Sequence, residues 1–250
     1  MMRTKSLSRA TGISRSLDVY YRDTARAHRM NMLNKVFVRP QGLVFDVGAH
    51  VGDRTASFLT LGASVVALEP QPRVFRALRL LHGRKPDVVL LPWAVGKNEG
   101  EATLYLNTRN PTVATMAPDF IEAATGAVGW QDEMWDSSAT VPVTTLDALI
   151  ARFGVPDFIK IDVEGHEAEV LSGLSMAVPA LSFEFTTIQR SCAHDCIDRL
   201  SALGRYKYNF SIGEDHALRH RTWLTPRALG AELDALPNSV NSGDVYARLT

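Results

Sequence analysis

Leu43-Val44-Phe45-Asp46-Val47-Gly48-Ala49-His50-Val51-Gly52-Asp53 decides how the rest of the chain is read. Leu43 to Val47 is a short apolar run of the kind that a parallel sheet buries on both faces, and Gly48 and Gly52 bracket a turn into a helix opening at Asp53. Ligands of open parallel sheets sit beyond the carboxyl ends of the strands. Glycine, lacking a Cβ, permits the sharp turn and lets backbone amides come close to a ligand, so a nucleotide-type site is predicted here. A dinucleotide fingerprint needs Gly-x-Gly-x-x-Gly, and His50 stands where its second glycine belongs, which removes the close approach of a pyrophosphate. Asp46 at the strand end suits a cationic ligand instead, and S-adenosylmethionine carries both an ammonium and a sulfonium.

Working outward, Gly62 stops the helix and Ser64 to Leu68 reads as a second strand, ending at Glu69, 17 residues beyond Gly52. A carboxylate there can accept both hydroxyls of a ribose. A helix from about Pro72 to Leu81 and a strand Val88 to Leu91 continue the alternation. Between Ala94 and Val143 the rhythm changes. Lys97-Asn98-Glu99-Gly100 reads as a hairpin turn into Ala102 to Leu106, followed by breakers at Asn110-Pro111, Pro118, Gly126 and Gly129 with Trp130 and Trp135. This insertion, at about 97–140, is expected to cover the site. Alternation resumes with a helix Thr145 to Phe153, a strand Phe158 to Asp162, a helix from about Glu167 and a strand Leu181 to Phe185. A helix near Cys192 to Leu203, a strand near Tyr206 to Ser211, a helix after Pro226 and a strand near Asp244 to Leu249 complete the chain. The expectation is an α/β, Rossmann-like fold with a mostly parallel seven-stranded sheet and helices on both faces. It has a helical extension over 1–38 and one domain over 39–250.

The fourth strand ends in Lys160-Ile161-Asp162-Val163-Glu164-Gly165-His166-Glu167, which puts titratable groups on the same rim of the sheet. Taken with Asp46 to Gly52, Leu68-Glu69-Pro70 and Val170-Leu171, this segment resembles the FkbM-type methyltransferases over about Gly42 to Phe185. The resemblance implies a class I methyltransferase fold and methyl transfer from S-adenosylmethionine, usually to a hydroxyl oxygen of a natural product or sugar. Asp46, Gly48, His50, Gly52 and Glu69 would then hold the cofactor, and Asp162 to His166 would face the reacting atoms. The family usually has Asn where His50 stands.

An alcohol acceptor has to lose a proton, and His166 is the preferred base because an imidazole titrates near neutral pH. Asp162 is the alternative base, or else binds the cofactor ammonium or orients the acceptor. Glu164 joins these two as a candidate catalytic residue. Glu164 and Asp162 suit a divalent cation, but the sequence offers no evident third ligand and no metal is expected. Glu184, ending the fifth strand, either lines the acceptor pocket or is an ordinary rim carboxylate.

Lys plus Arg and Asp plus Glu both total 27 among 250 residues, so charge gives no case for a nucleic-acid partner. The partner expected is a small-molecule or carbohydrate acceptor. Arg3, Lys5, Arg9, Arg15, Arg22, Arg26 and Arg29 make the start basic, and Leu17, Tyr20, Tyr21, Thr24 and His28 recur at helical spacing, which reads as an amphipathic helix with a solvated basic face. No apolar segment follows that would mark a secretory signal or cross a bilayer, and a cytoplasmic location is expected. Cys192 and Cys196 share one helix face as small apolar residues; with His194 they lack the spacing of a structural zinc site. His216 and His220 read as surface histidines of a loop. Three readings compete: an RNA methyltransferase, an NAD-dependent oxidoreductase, and a non-catalytic module that binds the cofactor.

Overall fold

A computed structural model describes residues 12–250; Arg3, Lys5 and Arg9 lie outside the described residues. Two helices, α1 (Ile13–Arg22) and α2 (Thr24–Asn34), precede the first βαβ unit, β1 (Leu43–Val47), α3 (Asp53–Thr60) and β2 (Ser64–Leu68). Next come α4 (Pro72–His82), β3 (Val88–Leu91), β4 (Ala94–Val95), β5 (Gly100–Leu106), α5 (Pro118–Ala124) and β6 (Ser137–Thr144). The remainder is α6 (Leu146–Phe153), β7 (Phe158–Ile161), α7 (Glu167–Ser172), β8 (Ala180–Thr186), α8 (Arg190–Leu203), β9 (Tyr206–Ile212), α9 (Pro226–Ala235) and β10 (Ser242–Leu249).

Seven strands form the main sheet in the order β3-β2-β1-β7-β8-β10-β9, parallel except for β10, which runs antiparallel to both neighbours. Side chains alternate between its faces. Phe45, Val47, Ile159 and Ile161 pack toward α6, α7, α8 and α9 through Leu149, Leu171, Cys196 and Leu233. Val44, Val65 and Phe158 pack toward α2, α3 and α4 through Leu33, Phe58 and Leu78. The expected architecture is therefore present, with helices on both faces. The chain winds outward from β1 to β3 and returns to β7 on the other side of β1. That reversal opens a crevice beyond the carboxyl ends of β1 and β7, the place where such sheets bind ligands.

Two expectations are corrected. The turn at Lys97 to Gly100 does not close a hairpin: β6 lies between β4 and β5, parallel to the first and antiparallel to the second, in a separate three-stranded sheet. The extension is also two helices. Asp23 leaves the helical conformation and its carboxylate accepts the backbone N–H of Arg26 at 2.9 Å, ending one helix and capping the next. Arg26 is 4% exposed rather than solvated, bridging Asp53 at 2.9 Å and Glu214 at 2.5 Å.

Candidate active site

A cleft open to solvent lies over the ends of β1, β2 and β7. Its floor is the β1–α3 loop, pinned by Leu68, whose carbonyl accepts the N–H groups of Gly48 (3.0 Å) and Ala49 (2.8 Å). Asp162 extends the ladder of β7 by donating its N–H to the Val47 carbonyl at 3.0 Å. Gly48, at φ +79°, brings the loop so close to β7 that an added Cβ would stand 1.8 Å from the Asp162 carbonyl oxygen. Gly52 serves packing: at φ +85° it faces Leu78 and His82 of α4, which a Cβ would meet at 2.6 and 2.7 Å. The first glycine lines the cleft and the second does not.

Glu69 lines the cleft almost wholly buried. One oxygen accepts the N–H of His50 at 2.9 Å and the other that of Gln71 at 2.8 Å. Each oxygen retains a second lone-pair direction for a ligand hydroxyl. Burial raises this carboxyl to about 7, with the two N–H donors pulling it back. His50 adopts φ +49°, a left-handed conformation that His and Asn tolerate better than most residues. Its Nε2 is buried with no partner among the described residues, and its ring meets Tyr20 of α1 edge-on at 5.9 Å. Asp46 is behind this surface rather than on it; burial raises it to about 6, against the hydroxyl hydrogen bond from Thr55 of α3.

On the β7 side Asp162 and Glu164 both line the cleft. Asp162 is half-exposed and accepts Lys160 Nζ at 3.1 Å, while that ammonium also donates to Asp244 at 2.7 Å. Glu164 takes φ +55°, and its carbonyl accepts the Thr115 hydroxyl at 2.6 Å. His166 lies outside the lining. Its Nε2 faces Gly96, where an added Cβ would be 3.7 Å away, and burial lowers its pKa against the opposing charge of Glu169. The insertion contributes Leu104, Thr112, Ala114 and Met116 to the cleft wall, opposite Trp93. Five carboxylates line the cleft (Asp53, Glu69, Asp162, Glu164 and Glu214) with Arg54 the guanidinium among them, a donor-poor surface that fits a cationic nucleoside.

The sequence reading missed Tyr20, Arg54 and Glu214 as members of this wall. His216 is a further correction: it is 4% exposed, and its Nε2 lies 3.0 Å from Glu214, a carboxylate that Arg26 and Arg54 also bridge.

Residues 46–216 match the family described as Methyltransferase FkbM domain. The chain belongs to the FkbM methyltransferase family. It is 28% identical over 149 residues to the hexuronic acid methyltransferase AglP of Haloferax volcanii, an alignment covering 58% of this chain and 55% of that protein. The chain thus spans about half the length of the curated relative it matches. An O-methyltransferase from Bacillus cereus in complex with SAH has 10% identity and a TM-score of 0.47, covering 95% of this chain and 86% of that one. A TehB-like SAM-dependent methyltransferase from Corynebacterium glutamicum has 9% identity and a TM-score of 0.45, covering 95% and 94%. This FkbM domain has the class I methyltransferase fold, with the mostly parallel seven-stranded sheet described above. Among the described residues no helix is long and apolar enough to cross a membrane.

Proposed function

We propose that this FkbM-family chain methylates a hydroxyl oxygen of a carbohydrate or related small molecule, using S-adenosylmethionine. The observation that carries the reading is the carboxylate-lined cleft at the sheet reversal, with Glu69 poised at the end of β2 and His50 Nε2 without a partner among the described residues. AglP, with its hexuronic acid acceptor, supports the carbohydrate class.

In this reading Glu69 accepts the ribose hydroxyls, and Gly48 together with His50 shapes the loop beneath them. Asp46 acts from behind by holding Thr55 and the start of α3. The bound cofactor supplies an electrophilic methyl carbon. Asp162 accepts the hydrogen bond of the acceptor hydroxyl and receives its proton, and Glu164 beside it helps to orient the oxygen along the line of displacement. Such alignment at about 3 to 3.5 Å supplies up to about 7–11 kcal/mol of barrier lowering, and a positioned base about 10²- to 10⁴-fold. His166, facing Gly96, would steady the turn into α7 rather than touch the acceptor, so His166→Ala is expected to keep turnover within about threefold, where loss of a base would remove about 10²-fold or more.

The reading is tested by calorimetry with S-adenosylhomocysteine and with NAD, followed by incubation of methyl-labelled cofactor with hexuronic acids and neutral sugars. Heat with S-adenosylhomocysteine and labelled sugar are expected. Heat with NAD alone would overturn the cofactor assignment, and cofactor binding without any labelled product would leave a binding module.

A further inference from the structure

We propose that Asp162, Glu164 and Glu184 form a binding site for one hard divalent cation, such as Mg²⁺ or Mn²⁺, at the carboxyl rim of the sheet. One carboxylate oxygen from each of the three lies within 4.8 Å of the others. Asp162 follows β7, Glu164 sits in the next turn, and Glu184 lies near the end of the neighbouring strand β8, so the parallel pairing of β7 and β8 brings the three to one rim. Around one octahedral magnesium, cis oxygens stand about 3 Å apart and trans oxygens about 4.2 Å, both inside the 4.8 Å limit on the three carboxylate oxygens.

An acidic rim alone would prove little; the decisive feature is the absence of donors to these carboxylates among the described residues. Glu164 is 7% exposed, and among the described residues only its backbone carbonyl is hydrogen-bonded, leaving the carboxylate bare. Glu184 Oε2 is buried and unpartnered too. Lys160, the ammonium beside them, is committed to Asp244 and to one oxygen of Asp162. The other Asp162 oxygen is free to coordinate. Two carboxyls this close are relieved by a held proton or by a bound cation, and the neighbouring ammonium of Lys160 is already engaged elsewhere. The all-oxygen donor set selects a hard cation rather than zinc or copper.

Asp162 and Glu164 also line the cleft, so open coordination positions of the ion point to where an acceptor enters. Vicinal hydroxyls or a sugar carboxylate can fill them, and the cation would fix the acceptor oxygen and weaken its hold on its proton. This use of the site rests on the methyl-transfer reading above, while binding of the ion does not.

The test uses the full chain stripped with chelator, titrated with Mn²⁺ alone and followed by the electron paramagnetic resonance of free Mn²⁺ and by calorimetry. S-adenosylhomocysteine is titrated in parallel. One saturable Mn²⁺ per chain is expected, weakened at least about tenfold in Glu184→Gln and lost in Glu164→Gln/Glu184→Gln, with circular dichroism checking that each variant folds. Glu169→Gln, on the exposed face of α7, should bind Mn²⁺ as the parent does. No saturable Mn²⁺, or binding indifferent to the double substitution in folded protein, overturns the site. S-adenosylhomocysteine heat without Mn²⁺ heat overturns the cation site and leaves the methyltransferase reading standing; the reverse pattern upholds the site and removes that reading.

Discussion

Gly48 shows how a single residue joins fold to site. Its position combines a left-handed backbone with a contact that no side chain can occupy, since the Asp162 carbonyl already stands where a Cβ would go. Gly48→Ala should therefore destabilise the protein by about 3–5 kcal/mol in urea unfolding, the sum of overpacking and the φ penalty. Gly126, at φ +75° with nothing within 4 Å, isolates the backbone part, and Gly126→Ala should cost only about 1–2 kcal/mol. Equal losses in the two variants would refute the steric account. Glu69 makes a second prediction at this scale. A carboxyl raised to about 7 is partly protonated at neutral pH, whereas hydroxyl donors from a ribose favour its ionised form. Binding of S-adenosylhomocysteine should release protons near pH 7 and strengthen as pH rises through that value. Calorimetry in buffers of different ionisation enthalpy reads the release directly, and Glu69→Gln should abolish it.

Elements set where these residues stand, and the strands were the most legible of them. Runs such as Leu43 to Val47 and Phe158 to Ile161 are buried on both faces, a pattern that local composition records without knowledge of partners. The pairing of β4, β5 and β6 was not legible, because Lys97 to Gly100 has turn chemistry whether or not its flanking strands pair, and the choice of partner lies forty residues away in Ser137–Thr144. The same limit applies to the site. Asp46, Gly48, Glu69 and Glu184 announce themselves by their places at strand ends, but Tyr20 and Glu214 reach the rim through tertiary folding that no short motif encodes, and so does the meeting of Glu184 with Asp162 and Glu164. The break between α1 and α2 belongs here as well: the spacing of Leu17 to His28 runs on through Asp23, yet its side chain caps α2, and Arg26 is buried. Arg26 then ties α2 to α3 through Asp53. Arg26→Ala leaves that buried acid with less compensation and should cost about 3–5 kcal/mol in chemical denaturation. A loss under about 0.5 kcal/mol would mean that Arg54 alone suffices to hold Asp53 and Glu214.

The molecule as a whole carries its binding site as a strain on its stability, and pH makes that strain visible. Asp46 and Glu69 are raised by burial to about 6 and about 7 from ordinary values of 3.8 and 4.5. Both hold their protons more tightly folded than unfolded, so their contribution is fully present below about pH 4 and is lost as pH rises through 6 and 7. At about 1.4 kcal/mol per pH unit of difference, the pair forfeits several kcal/mol by pH 7.5. His82, buried beside Tyr21 and lowered by burial to about 4, works in the opposite direction: its contribution is complete above about 6.5 and is lost as pH falls to 4, by up to about 3 kcal/mol. Glu164, Glu167 and Glu184, also raised by burial, join the carboxyl side, and His50, His166 and His216, also lowered by burial, join the imidazole side; the carboxyls are the more numerous, so the ligand-free protein should melt at a higher temperature near pH 5.5 than at pH 8. Saturating S-adenosylhomocysteine, by supplying hydroxyl donors to Glu69 in its ionised form, should lift the melting temperature more at pH 8 than at pH 5.5 and so shrink the difference. Differential scanning calorimetry at the two pH values, with and without ligand, decides the matter: a ligand-free protein more stable at pH 8 would show that these carboxyls are not held protonated in the fold.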